Sequence, residues 1–426
     1  MAVYLDSVPF SGIIRIRDMM YSVANPYRLD QGDVSFDAPD SVKSAMMRAV
    51  AENQTHYLQT NGVPRLRELA AAKMRDKNRI AGADAEHVLV TNGGIHGLYM
   101  LFQALLEPGD EVIIPDPQWP PAAGNILAAK GVPVGCRLYE SCGWRYDLDE
   151  LESAVTPRTR VLYLNSPHNP TGGILTRADL ERIAAIARAH DVWIVSDEAY
   201  EDIVFDGEHT SIASLPDMYE RTIPVYTFSK SYAMTGLRLG FVSINDEVIR
   251  DRAKKVLFYT ASNIASVVQY GGIGALEGPQ DCIEAFRSEL HARRDLFYDG
   301  LADVARGVFS GAPPAGAFYA FLRITPAWSD GTARQVENPA DRLRQGYGGP
   351  PKLHTKAEAG SHVRTRKPSV SWAMTEHLIK NGRIGCVPGV DFGGNGEGYV
   401  RFCFAREPKE LIGALESMRT LFGVTV

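Results

Sequence analysis

From about residue 86 to 245, short apolar runs rich in β-branched residues alternate with helical patterns, and this alternation limits the fold more than any other feature of the chain. The runs are HVLV (87–90), EVIIP (111–115), VPVGC (132–136), RVLYLN (160–165), VWIVSD (192–197), IPVYTF (223–228) and RLGFVSI (238–244). Between several of them lie IHGLYMLFQALL (95–106), the run 119–130 and TRADLERIAAIARAH (176–190). In the last, Thr176 and Asp179 precede the stripe Leu180, Ile183, Ala184 and Ala187, a capping-box-like opening. Strands that are apolar throughout need cover on both faces. The pattern therefore predicts an α/β fold with a mostly parallel sheet between helices.

At 426 residues the chain exceeds what one core usually holds, so a second, smaller unit is expected. Its candidates lie outside the alternating block. They are helices near 41–52 and 63–77, a strand at AFYAFLRI (317–324), a helix at SWAMTEHLIKNG (371–382) and a strand at YVRFCFA (399–405). No internal repeat is visible. The segment 329–368 holds GYGGPP, several prolines and no sustained apolar period, which reads as a long loop or lid.

The totals exclude several partner classes. A net charge of −6 gives no reason to expect nucleic acid or an anionic membrane. No apolar run reaches the roughly 18 residues that span a bilayer. The start MAVYLDSVPFSG lacks the basic and apolar regions of a secretory signal, so a cytoplasmic enzyme is expected. Cys136, Cys142, Cys282, Cys386 and Cys403 are scattered, odd in number and without a C-x-x-C pair, so they predict buried or partly buried thiols and suggest no metal or redox site.

In an open parallel sheet, ligands collect beyond the carboxyl ends of the strands. Four loops there carry chemistry. TNGGIHG puts Gly93 and Gly94 at a helix start, where backbone amides can meet an anion, although such a turn is often only a turn. SPHNPTGG carries His168 and Asn169 on a stiff path, which by itself also suits a self-bonding Asn. SDEAYED puts Asp197 at the end of an apolar strand, where a carboxylate is costly unless paired; a helix cap or salt bridge would serve equally. TFSKSYAMTGLRLG sets Lys230 among Thr227, Ser229 and Arg238, groups suited to phosphate, though a lone lysine can be a surface charge. Taken together, the four loops describe one site for an aromatic, phosphorylated, carbonyl-bearing cofactor.

The set NGG, SPHNPTG, SDEAY and SKSYAMTGLRLG resembles the fold-type I aminotransferases that use pyridoxal 5′-phosphate (PLP), class I/II, in the aspartate-aminotransferase-like branch. The resemblance extends through SGIIRIRDM (11–19), QGDVSF (31–36), HYLQTNGVPRLRELA (56–70), PGDEVIIPDPQWP (108–120), GAFYAF (316–321), VPGVDFG (387–393) and YVRFCFA (399–405). It implies a large PLP-binding domain at 53–290. A small α+β domain is then formed by both chain ends, 1–52 and 291–426, with an insertion at about 329–368. It implies that Lys230 carries PLP as an aldimine and moves the proton of the substrate. Asp197 would pair with the ring nitrogen, Asn169 and Tyr200 would bond the phenolate oxygen, and Trp119 would stack on the ring. The amides of Gly94 and Ile95, with Thr227, Ser229 and Arg238, would hold the phosphate, and Tyr57 would reach it from the second subunit of a homodimer. Arg401 would bind the substrate α-carboxylate, with Gly32 and Asn169 nearby. The implied reaction is ping-pong transfer of an amino group between an L-amino acid and a 2-oxo acid.

Motif residues do not choose among reactions at such a site. A C–S β-lyase, a cyclase, or an amino-acid oxidase or hydroxylase stays open, as does a PLP-binding regulator, although nothing resembling a DNA-binding domain precedes Ser11. Some aspartate-specific relatives place a lysine at the position of Ile95 to meet a distal carboxylate, which isoleucine cannot do. Arg15, Arg17 and His96 are the candidate substitutes, and surface charge is their plainer reading. His168 is expected to support the site without direct chemistry.

Overall fold

The computed structural model describes Val8 and residues 12–305, 307–326, 328 and 369–423. The alternating block folds into eight strands: β1 (Val88–Thr91), β2 (Glu111–Asp116), β3 (Val132–Tyr139), β4 (Arg145–Tyr146), β5 (Thr159–Asn165), β6 (Trp193–Asp197), β7 (Thr222–Thr227) and β8 (Gly240–Ser243). They form one sheet in the order β1-β8-β7-β6-β5-β2-β3-β4. The stretch β7-β6-β5-β2-β3 is parallel. The exceptions are β8, antiparallel to both β1 and β7, and the short edge strand β4. Since β8 reverses twice, β1 runs in the same sense as β7. The carboxyl ends of β1, β5, β6 and β7 therefore open on one edge.

Each of the seven apolar runs forms a strand, six within a residue or two of the expected limits and β3 three residues longer at its end. Successive side chains cover opposite faces. Val161, Tyr163, Val195 and Val225 join the core under helix Gly93–Leu105, whereas Leu162, Leu164 and Ile194 join the core under helix Arg177–Ala189. The latter helix opens on the expected box: Thr176 N–H donates to Asp179 Oδ2 at 2.8 Å, and Asp179 N–H donates to Thr176 Oγ1 at 3.2 Å.

The second sheet consists of β9 (Phe309–Ser310), β10 (Tyr319–Ile324), β11 (Val387–Pro388) and β12 (Tyr399–Cys403), in the antiparallel order β11-β12-β10-β9. Helices Asp281–Val304, Val370–Gly382 and Pro408–Phe422 cover it through Phe297, Met374, Leu378, Leu411 and Met418. Leu29 and Val34 from the N-terminal part join this core, so both chain ends build it.

Two helices differ from the reading of the segments outside the alternating block, although the large domain expected at 53–290 already includes the second of them. Asp40–Ala51 and Pro64–Asp76 pack with the large sheet and not with the small one: Val42, Leu66, Ala70 and Met74 lie in the large core. The reason is their partner. Helix Ser266–Glu277 presents Gly271 to Met46 and Val42 and Gly274 to Ala45, so the axes approach closely. An apolar stripe shows that a helix is buried but not against what. The expected boundary at residue 290 also falls inside the continuous helix Asp281–Val304, where Leu290 already belongs to the small core. The expected insertion at 329–368 lies outside the described residues. Among the described residues no helix is long and apolar enough to cross a membrane.

Candidate functional site

The turn after β1 and the segment that joins β7 to β8 meet at one place. Gly93 has φ +74°, which strains any other residue, and a Cβ there would sit 2.6 Å from Arg238 Nη2 and push the guanidinium aside. The helix that starts at Gly93 has Asn92 as N-cap with no side-chain cap bond, which leaves its first amides for another acceptor. Gly94 and Ile95 follow in its first turn. Thr227 Oγ1 donates to Ser229 Oγ at 2.9 Å and accepts from Ser229 N–H at 3.2 Å. Arg238, itself at φ +56°, is steadied by Nη1 donating to the Thr235 carbonyl at 2.7 Å. A helix N-terminus, two hydroxyls and a guanidinium on one edge make a cradle for an anion.

On the strand next to β7, Asp197 ends β6 and is buried. Tyr163 donates its hydroxyl to Asp197 Oδ2 at 2.9 Å, and the Ala199 amide donates to Oδ1 at 3.2 Å. Burial pushes the Asp197 carboxyl up to about 6, against the lowering effect of these two bonds. A carboxylate held this way gains most from a cationic partner.

The loop after β6 is pinned from below. Glu198 accepts from Ser196 at 3.0 Å and Ser211 at 2.6 Å, and Glu201 is held by Lys73 and by Asn78 at 2.6 Å. The Lys73 ammonium stands 3.6 Å from the Tyr226 ring centroid. This network fixes Tyr200, whose hydroxyl meets Asn169 Nδ2 at 3.4 Å and the Tyr319 hydroxyl at 2.8 Å. Asn169 is set in turn by Asn165, whose Oδ1 accepts the Asn169 amide at 2.9 Å.

Lys230 lies in the single turn Phe228–Ser231 after β7. Its ammonium donates to the Gly32 carbonyl at 2.6 Å and stands 5.4 Å from the Phe318 ring centroid. Burial lowers its pKa to about 8, with Arg401 and Arg238 repelling its charge and Asp33 attracting it. A Cβ on Gly32 would collide with the Tyr319 hydroxyl, so the backbone reaches the lysine only because this residue is glycine.

Arg401 projects from β12 and is buried. Nη1 donates to Asn169 Oδ1 at 3.0 Å and Nη2 to the Asp30 carbonyl at 2.9 Å, while Nε has no partner among the described residues. The guanidinium carbon lies 4.4 Å from the Tyr319 ring centroid and 4.9 Å from that of Phe392. A planar fork held between two rings, with a donor to spare, suits a carboxylate.

The remaining candidates are placed apart from this cluster or only border it. Trp119 caps helix Pro120–Ala128 and packs its partly buried ring against the large core. Tyr57 is 89% exposed. Ile95 presents an exposed side chain. Arg15 stacks 4.2 Å from the Trp372 ring and pairs with Glu376 at 3.4 Å, and Arg17 pairs with its neighbour Asp18 at 3.4 Å. His96 accepts from the Asn92 amide at 3.2 Å and meets Thr260 at 2.9 Å. His168 is buried against Thr171 at 2.8 Å, and burial takes its pKa down to about 3, so it stays neutral. Tyr163, Tyr319 and the carbonyl of Asp30 escaped sequence reasoning: the first two sit in apolar strand patterns, and a backbone oxygen carries no sequence signal.

A parallel sheet with an antiparallel unit contributing an arginine at its carboxyl edge is an architecture with solved counterparts. The aspartate aminotransferase of Thermus thermophilus, solved with maleate, superposes with a TM-score of 0.83 at 29% identity, covering 99% of each chain. The chain belongs to the aminotransferase class I and II family, whose profile matches residues 24–417. It is 33% identical over 417 residues to aromatic-amino-acid aminotransferase 2 of Thermococcus litoralis, spanning 97% of this chain and 96% of that one. It is also 37% identical over 322 residues to an arginine–pyruvate transaminase of Pseudomonas aeruginosa, spanning 75% and 79%. The chain is thus an enzyme that moves an amino group between an amino acid and an oxo acid.

Proposed function

We propose that this aminotransferase works with PLP carried on Lys230, and that Arg401 selects its substrates as α-carboxylates. The carrying observation is the buried Arg401 fork with its free Nε, bonded to the same Asn169 that meets Tyr200. The residues fit the cofactor: the Gly93 turn, where a Cβ would push the Arg238 guanidinium aside, takes the phosphate with Thr227, Ser229 and Arg238. Asp197, buried and short of a cation, takes the protonated ring nitrogen. Asn169 and Tyr200 take the phenolate oxygen, and Trp119 covers the ring face. PLP, when bound, draws electron density from the carbon bearing the amino group and makes its proton removable. Lys230 receives that proton at Nζ and returns it on the far side of the transfer, which requires the neutral amine that burial favours.

The relatives act, by name, on aromatic amino acids, aspartate or arginine, so this site is read as general for the α-carboxylate and open at the side chain. The test loads the protein with PLP and adds amino acids one at a time while following the visible absorbance. With a matched donor the band should fall as one equivalent of 2-oxo acid appears, the amino group staying with the protein–cofactor complex. Release of ammonia, or uptake of oxygen, would count against transfer.

A homodimer belongs to the same reading, because Tyr57 is too exposed to serve its own site and is assigned to a partner's phosphate. Sedimentation should give a dimer at working concentrations. A fully active monomer would rule this out.

A further inference from the structure

We propose that Tyr163 is a positioning residue for the cofactor's ring nitrogen: its hydroxyl, bonded to Asp197 Oδ2 at 2.9 Å, sets how much negative charge that nitrogen meets. The inference rests on the reading that Asp197 faces the PLP ring.

On β5 and β6, Tyr163 pairs in register with Val195, and Asn165 pairs with Asp197. Tyr163 therefore reaches diagonally to the end of the neighbouring strand. Its ring is 1% exposed, in the layer of Val161 and Val195, with Phe102 at 6.4 Å between centroids. For packing alone phenylalanine would fill this position, and a phenol in such a layer needs a partner. Asp197 is that partner. Burial, and next the Asp197 charge, hold the Tyr163 phenol well above its ordinary pKa, so it remains a donor throughout the working range.

Asp197 is surrounded by few other polar groups. The Ala199 amide satisfies Oδ1, while Glu198 works against ionisation and Lys230 in favour. Among the influences opposing burial, the Tyr163 bond is the largest. Without it the carboxylate becomes more basic. The single proton between Asp197 and the ring nitrogen then shifts toward Asp197, no proton being gained or lost, and the ring loses the positive charge that makes it withdraw electrons.

The test compares wild type with Tyr163→Phe, both loaded with PLP labelled with nitrogen-15 in the ring. In the variant the ring-nitrogen resonance should move toward neutral pyridine, and the pH at which the visible absorbance titrates should rise by roughly half a unit to one unit. Both proteins are then reloaded with PLP methylated at the ring nitrogen, whose charge is permanent, and the difference should vanish. An unchanged resonance and titration in Tyr163→Phe, or a difference that survives methylation, would overturn the proposal in favour of a purely structural tyrosine. Should Tyr163→Phe not fold, 3-fluorotyrosine at this position, a stronger donor of the same shape, should move the resonance further toward pyridinium; no movement overturns the proposal. A wild type that takes up no PLP defeats the reading of the site itself, which separates that failure from this one.

Discussion

Lys230→Ala should lower amino-group transfer on the order of 10⁴-fold, the upper end of what one positioned acid–base group contributes. It should also abolish the visible band that wild type acquires with PLP. The variant is expected to fold, because the lysine's bond to Gly32 is a surface of contact with the site and not part of either core. The pH dependence follows from the same group. Burial lowers its pKa to about 8, so the nucleophilic amine should become available as pH rises and be largely formed above that value. The rate of PLP uptake by the unloaded protein should climb with pH and level off above about 8. A midpoint near the ordinary lysine value of 10.5 would show that Lys230 is not held in this environment. The sign for stability is the same. A charged Lys230 costs the unloaded protein stability below about 8, and this cost fades as pH rises toward the ordinary lysine value.

Arg401→Ala should reduce kcat/KM for every α-carboxylate substrate by roughly 10²–10³-fold, since removing one partner of a buried charged pair costs about 2–5 kcal/mol. Two effects combine. The substrate loses its fork, and Asn169 Oδ1 and the Asp30 carbonyl lose their donors. Arg401→Lys separates them: it returns the charge but not the planar pair of donors, so it should recover only part of the loss. An amine substrate lacking a carboxylate should feel only the second effect, and so lose far less than the α-amino acids. Equal losses for that amine would place the arginine's role in holding the fold.

How much of this was legible depended on which residues carry local signals. The strands could be read because Val and Ile runs such as VWIVSD leave few alternatives, and Asp197 and Lys230 stood out because one closes such a run and the other stands two residues past one. The anion-suited groups at Gly93 and Arg238 were legible for a similar reason, although their closeness to each other was not. Tyr163 was missed because a tyrosine in RVLYLN looks like any strand aromatic; only the register of β5 with β6 brings it to Asp197. Tyr319 hides in AFYAF in the same way. Arg15 looked like a free cation near the start of the chain, and its partners Trp372 and Glu376 come from a distant helix that no local pattern connects to it. Helix Asp40–Ala51 was recognised as a helix but assigned to the wrong core, because periodicity gives the buried face and not the neighbour.

The bond from Arg401 to the Asp30 carbonyl joins residues 371 positions apart. A ribosome adding about 5–20 residues per second delivers the second of them roughly 20–75 s after the first. Lys230 and Arg238 are synthesised well inside that interval, so the growing polypeptide holds both before the strand that carries Arg401 exists. A product cut short by premature termination before β12 would carry the lysine without the arginine.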